Sequence, residues 1–174
     1  NDGSGDVLVA GAFTAFTDVV SNRLIRLYAD RRVAQSFPDG FNDTVLQLVA
    51  AGDSTGGVYA LGWFTQFNGQ AAPGLIRLNR DGTRDTNFQL AAMDQPPTAL
   101  ASIPDGGGGV YIGGPFTNYG GTAIRHLARL RANGALDQTF NAGAGFTGVF
   151  DLSNDSTVMH VAHMAVEAIA NRRI

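Results

Sequence analysis

Cysteine is absent from this sequence of 174 residues. Its absence excludes disulfide bonds and zinc sites built on thiolates. The sequence also lacks an uninterrupted apolar run of the roughly 20 residues that a membrane-spanning helix requires. Positive charge is scarce as well, since the formal net charge is −3. We therefore expect neither a membrane nor a nucleic acid as a partner.

Side chains that commonly carry out catalysis are few. The sequence has no Gly-x-Ser-x-Gly motif, and its first histidine is His126. A nucleophilic triad needs a nucleophile beside a base, and nothing in the first two thirds of the chain supplies that pair. These absences predict a non-catalytic protein without a cofactor.

What the sequence does contain is an internal repeat of about 51 residues. The segment LIRLNRDGTRDTNF at 75–88 is matched by LARLRANGALDQTF at 127–140. The same register relates three sets of residues: Phe13, Phe64 and Phe116; Arg26, Arg77 and Arg129; Phe37, Phe88 and Phe140. A fourth, more divergent copy begins at 154. The chain therefore holds about 3.4 repeats.

Each repeat contains the pattern of four strands. In the second repeat these are TVLQLVAA (44–51), GVYALGWFT (57–65), LIRLNR (75–80) and TRDTNFQ (83–89). Asn-Gly and Asp-Gly pairs between them are strong hairpin signals. The second strand is apolar on both faces, as a strand covered on both sides must be. The fourth is polar, which suits an outer edge. This predicts an all-β fold of β-propeller-type four-stranded blades, as a partial or open propeller.

The repeat register divides the chain into one continuous domain of four parts. We expect a partial blade at 1–43, full blades at 44–96 and 97–146, and a partial blade at 147–174. A ring of 4–8 blades needs more units, and uncovered blade faces are apolar. We expect a protein partner or the remainder of a longer chain to cover the end blades. The alternatives are self-association, in which two copies close one ring, and an open arc that stacks against another subunit.

The pattern GxFTxFNGxxxxxLIRLNxDGxxDxxF, clearest at 62–88, resembles the delta-60 repeat. The resemblance implies a propeller-type fold in a large secreted or surface-associated bacterial protein or a phage protein. It is looser at 1–51, where YADRRVAQSF stands in place of the NxDGxxDxxF element. It implies no agreed activity, and therefore no catalytic residue.

Two sets of residues are candidate binding groups. Asn79, Asp81 and Asp85 have spacings similar to those of calcium loops, but the Glu that an EF-hand-like loop needs is missing. A hairpin turn explains the same residues, because Asn or Asp before Gly favours positive φ. Arg26, Arg77 and Arg129 recur at one blade position, so they form either an anion site or structural pairs with the Asp of the same hairpin.

The remaining features have structural explanations. The glycine-rich 103–114 lacks the Gly-Lys-Ser/Thr end of a phosphate loop. Tyr59 and Trp63 are expected to fill space between blades, although aromatics of this kind also line glycan or peptide grooves. Residues 156–173 are a strand in the repeat register, which separates His160 from His163, or a helix by local propensity, which joins them.

We expect a non-catalytic structural or recognition module of a larger extracellular, cell-surface or virion protein. A structural subunit of a filament or phage tail is one alternative. A propeller-type hydrolase or lyase with a site at the channel mouth is the other.

Overall fold

A computed structural model of the chain describes residues 5–140. These residues form fifteen β-strands and no helix, which confirms the all-β prediction. They contain no helix long and apolar enough to cross a membrane. Predictions that fall on residues 141–174, including the partial fourth blade, His160 and His163, lie outside the described residues.

The strands group into three units that follow the sequence repeat. The first unit comprises β1 (Val7–Ala10), β2 (Ala15–Phe16), β3 (Val19–Val20), β4 (Leu24–Leu27) and β5 (Val33–Ser36). The second comprises β6 (Val45–Ala50), β7 (Val58–Gly62), β8 (Gln66–Phe67), β9 (Gln70–Ala71) and β10 (Leu75–Leu78). The third comprises β11 (Ala99–Ser102), β12 (Val110–Gly113), β13 (Asn118–Tyr119), β14 (Thr122–Ala123) and β15 (Leu127–Leu130).

Each unit has a three-stranded antiparallel sheet and a small hairpin. The sheets have the orders β1-β4-β5, β10-β7-β6 and β11-β12-β15. The hairpins β2-β3, β8-β9 and β13-β14 connect the second and third strands of each repeat. The Asn-Gly turn predicted in the second repeat is present, with φ of 49° at Asn68 and 72° at Gly69.

The fourth strand differs from the prediction of four-stranded blades. Within residues 5–140, only the first unit has it, as β5. In the second unit it shrinks to one bridge, Leu78 to Arg84, because the chain turns at Asp85. The Oδ1 atom of Asp85 accepts a hydrogen bond from the amide of Asn87 at 2.9 Å, and this turn brings the next aromatic residue into the core. The first unit has Ala34 at this position, so its strand continues.

The hydrophobic core consists of two layers, each between consecutive units. We call the face of a unit that meets the preceding unit its leading face. In the second unit this face carries Val58, Ala60, Phe64 and Phe67, and in the third unit Val110, Ile112, Phe116 and Tyr119. The opposite, trailing face carries Tyr59 and Leu61 in the second unit. The sheets thus pack face to face like neighbouring blades, and within residues 5–140 they do not close into a ring.

One side chain joins the first strands of the second and third units. Gln47 follows an irregularity in the pairing of β6 with β7. Its Nε2 donates to the carbonyl oxygen of Leu100 at 2.9 Å, and its Oε1 accepts from the amide of Leu100 at 2.9 Å. Bulges commonly redirect a side chain in this way. The amide of Gln47 therefore satisfies both backbone groups of one residue on β11.

Candidate functional site

Arg77 is the centre of a buried ionic cluster. It lies on β10 opposite Tyr59 of β7, and its guanidinium is 5.8 Å from the centre of that ring. It donates to Oδ2 of Asp85 at 2.8 Å and to Oδ2 of Asp53 at 2.5 Å. Thr55 Oγ1 accepts a third bond at 3.1 Å. The side chain of Arg77 is only 10% exposed, so the two carboxylates compensate a charge that has little access to water.

Two groups of this cluster, Asp53 and Tyr59, have shifted pKa values. Burial opposes ionisation of Asp53, but hydrogen bonds from Thr55 and the charge of Arg77 outweigh it and lower the pKa of that carboxyl. Burial raises the pKa of Tyr59 to about 12, although the charge of Arg77 opposes the shift. The tyrosine hydroxyl donates to the carbonyl oxygen of Gly108 in the third unit at 2.6 Å. The hydroxyl of Tyr59 therefore links this cluster to the third unit, while the ion pairs of Arg77 stay within the second.

The equivalent arginines have different surroundings. Arg129 bonds to Asp105 at 2.7 Å and approaches Asp137 at 3.3 Å, but its side chain is 30% exposed. Arg26 donates to the backbone oxygen of Arg80 in the second unit. The contacts of Arg77 and Arg129 are those of structural pairs within one repeat. Asp53 and Asp105 were missed in the sequence, although their repeat register (GDSTGG and PDGGGG) marks them.

The three calcium candidates serve the hairpin after β10. Asp81 Oδ1 accepts bonds from the amide and the hydroxyl of Thr83, at 2.9 and 2.6 Å. Asn79 donates to the same hydroxyl at 3.0 Å, and Asp85 is paired with Arg77. Within residues 5–140, no group of three or more His, Cys, Asp or Glu residues is placed to hold a metal ion.

We predict that calcium does not change the stability of the chain. An ion that binds the folded state raises its melting temperature by mass action. The oxygens of Asp81 and Asp85 already accept internal hydrogen bonds. Thermal unfolding in millimolar calcium and in chelator should give the same Tm, for the natural chain and for Asp81→Ala. A rise of several degrees that Asp81→Ala abolishes would contradict this.

A side-chain clamp joins the second unit, and likewise the third, to the chain segment before it. Asn42 Oδ1 accepts from the amides of Thr65 and Gln66, both at 2.9 Å. Asp94, in the same register, accepts from the amides of Thr117 and Asn118, both at 2.9 Å. We call Phe41–Asn42 and Met93–Asp94 the linking residues, because Phe41 and Met93 also bridge the hairpins of the following units.

The clamp depends on an ionised or amide oxygen. The hydroxyl of Thr117, together with the two backbone amides, lowers the pKa of Asp94 to about 2. Asp94 is therefore an anion at all ordinary pH values, and its oxygens are engaged with the third unit. The sequence analysis did not identify the linking residues. Asn42 and Asp94 lie at the same distance before a Phe-Thr pair, and this spacing is the signal that could have revealed them.

One cleft, which we call the rim cleft, is bordered by a residue that the other repeats lack. It has a volume of about 530 Å³ and lies between the end of β7 and the connection at 90–97. Trp63 borders it and is 68% exposed, contrary to the expectation that it fills space between blades. It lies between Gly62, the last residue of β7, and the buried Phe64. Ala12 and Pro115 stand at the equivalent positions, so the repeat does not require the indole.

The leading face of the first unit is partly uncovered. Val7 and Val9 are 53% and 37% exposed. Their equivalents in the third unit, Val110 and Ile112, are both 0% exposed. Phe13 and Phe16 are likewise half-buried, whereas the corresponding aromatic residues of the other units are buried. The leading face of the first unit thus exposes apolar side chains at positions that are buried in the third unit.

Comparison with known proteins supports the fold and adds no activity. A family model described as "Domain of unknown function (DUF5122) beta-propeller" matches residues 54–88 and 108–140. The chain is similar to this family across most of the second and third units. Among curated proteins, none matches the chain. With the all-β sheets described above, the match confirms the prediction of a β-propeller-type fold whose sheets do not close.

Proposed function

We propose that the chain is a non-catalytic β-propeller scaffold that binds protein through the leading face of its first unit. The observation that carries this is the exposure of Val7 and Val9 at positions that are buried in the third unit. The occupant is a protein partner or the remainder of a longer chain. The setting is a larger secreted, surface or virion-associated protein of the delta-60 repeat type, supported by the motif at 62–88.

The carboxylates support the non-catalytic part of the proposal. Asp53 and Asp85 neutralise Arg77, and Asp94 holds the hairpin of the third unit. A general acid or base needs a pKa near the working pH and access to a substrate. The pKa values of Asp53 and Asp94 are instead lowered, and hydrogen bonds occupy their oxygens.

We predict that the isolated 174 residues do not remain monomeric. Multi-angle light scattering at tens of micromolar should show dimers or larger species, because uncovered apolar faces associate. Val9→Lys should reduce the association. Val20→Lys is the matched control, since Val20 is 58% exposed but lies outside the leading face. A stable monomer would refute the proposal. A defined dimer that Val9→Lys disrupts would favour a ring shared by two copies. Open-ended assembly would favour a subunit of a filament or tail.

The rim cleft favours a second candidate function, recognition of a peptide with apolar side chains. Its lining includes Leu90, Met93 and three prolines beside the indole of Trp63. Asp94 is the charged side chain among the described residues that line it. Apolar pockets with an accessible aromatic ring are typical of peptide-binding surfaces.

We predict that Trp63→Ala abolishes peptide binding at this cleft. Wild-type chain would be used to select binders from a displayed random dodecapeptide library, and affinities would be measured by calorimetry. A Trp lost from the centre of an interface costs about 2 kcal/mol or more. Leu46→Ala, an exposed residue away from the cleft, is the control. Selected peptides that bind Trp63→Ala equally well would exclude the cleft as their site.

A further inference from the structure

The leading faces of the second and third units are completed by the linking residues. The ring of Phe41 lies 4.3 Å from that of Phe64 and 4.6 Å from that of Phe67, between centres. Phe41 also bridges Phe67 through the backbone, and the amide of Asn68 donates to Gly40 at 2.9 Å. In the third unit Met93 bridges Tyr119 in the same way. In both interfaces the linking residues are thus one apolar residue followed by Asn or Asp, and we call a pair of this kind, seated on a leading face, a plug.

The hairpin of the first unit has the same backbone hydrogen bonds as the hairpin that binds a plug in the second unit. The amide of Ser21 donates to the carbonyl of Thr14 at 3.0 Å, as Ala72 does to Thr65 at 2.8 Å. The amide of Arg23 donates to the carbonyl of Phe13 at 2.8 Å, as Gly74 does to Phe64 at 2.9 Å. The hairpin is therefore already in the conformation that the linking residues bind elsewhere in the molecule.

Nothing in residues 5–140 fills the plug position of the first unit. No side chain there accepts from the amides of Thr14 and Ala15, which correspond to the clamped amides of the second unit, and no linking residue bridges Phe16. The glycine that precedes the hairpin is also less closely surrounded in the first unit than in the second. A Cβ on Gly62 would lie 2.1 Å from the carbonyl oxygen of Thr44 at the start of β6, whereas a Cβ on Gly11 would meet only the ring of Phe13, at 3.7 Å.

We propose that the leading face of the first unit binds an extended segment in which a large apolar residue is followed directly by Asn or Asp. The apolar side chain enters between Phe13 and Phe16. The Asn or Asp oxygen accepts from the amides of Thr14 and Ala15, and the backbone on either side bridges Phe16. This rests on the proposed function and specifies its partner. The two established interfaces carry it, since both use the same pair of residue types against the same positions.

The chemistry of the plug explains why Asn in one interface and Asp in the other can fill the same position. Two adjacent amides point to one site, and a single side-chain oxygen has lone pairs for both. A carboxamide or a carboxylate supplies that oxygen, and the short side chain keeps the backbone close enough to bridge the hairpin. An apolar residue of the same size as Asn would leave two amides without an acceptor in a partly buried place, which is unfavourable.

The test adds a segment of this kind ahead of the chain. Residues 38–51, which contain Phe41 and Asn42, would be fused ahead of Asn1. Gly52 is the repeat equivalent of Asn1, so the fusion keeps the natural spacing. Hydrogen exchange of the amides of Thr14 and Ala15 would be followed by NMR. We expect exchange to slow by at least about tenfold and Tm to rise by several degrees, because the amides become protected by a stable contact.

The matched control carries Asn42→Leu in the appended copy only, leaving the natural Asn42 intact. It should lose the slow exchange of Thr14 and Ala15 while keeping part of the rise in Tm from Phe41. Equal protection in both extended chains, or unchanged exchange and Tm in both, would overturn the proposed plug. Its failure is separable from failure of the proposed function. If Val9→Lys disrupts self-association, the leading face still binds protein, and the bound segment then has a different chemistry from the plug.

Discussion

Arg77→Met is expected to lower the free energy of unfolding by about 3–5 kcal/mol, because it removes one partner of a buried ionic cluster. Asp53 and Asp85 would then remain as two carboxylates that are 13% and 7% exposed, with no cation between them. The loss is measured by urea unfolding at pH 7.

Arg129→Met is the internal control for that experiment. Arg129 holds the same repeat position, but its side chain is 30% exposed and Asp105 is 44% exposed. Its other partner, Asp137, is only 10% exposed but keeps a second cation, Arg131, at 3.6 Å. Solvent screens such pairs, so the loss should be about 1 kcal/mol or less. Adding Asp85→Asn to Arg77→Met should restore part of the stability, because one uncompensated charge is removed. Equal losses for the two arginines would show that burial does not govern the strength of the pair.

Phe64→Ala is expected to cost about 3–5 kcal/mol, the range for loss of a fully buried phenylalanine. Phe64 is 1% exposed and packs on Phe41 of the linking residues. Removing its ring leaves a cavity at the interface of the first two units and weakens the contact with the plug.

Phe13→Ala is the matched substitution one repeat earlier. Phe13 is half-buried on the uncovered leading face, so we expect a loss of about 1–2 kcal/mol, in proportion to the smaller area that its ring removes from water. Urea unfolding of both variants decides the comparison. If Phe13→Ala were as costly as Phe64→Ala in the isolated chain, the leading face of the first unit would already be packed, contrary to the proposed function.

The sequence predicted the parts of the fold that repeat. The register of Phe64 with Phe116, and of Arg77 with Arg129, located the second and third strands of each unit, because equivalent residues meet equivalent neighbours. The Asn-Gly hairpin followed from backbone preferences that act locally. Such features depend on spacing alone, and spacing is visible in a sequence.

Features that depend on one side chain were not predicted. Asp85 ends the fourth strand early because it caps the backbone two residues later, while Ala34 lets β5 form. Trp63 is exposed although its neighbours in the sequence, Gly62 and Phe64, are buried, and an apolar pattern does not reveal this difference. The linking residues act across about 23 residues of chain, so neither Asn42 nor Asp94 has a local signal.

The linking residues give the assembly of this molecule a direction. Asn42 precedes the hairpin β8-β9 in the chain, and Asp94 precedes β13-β14. During synthesis from the amino end, each hairpin leaves the ribosome after the oxygen that will hold it is already available, and repeat proteins can propagate structure from one unit to the next. In a chain that grows in this order, each new unit can pack on the unit before it as it emerges. A chain refolding from denaturant has no such order and can pair a hairpin with the linking residues of the wrong unit.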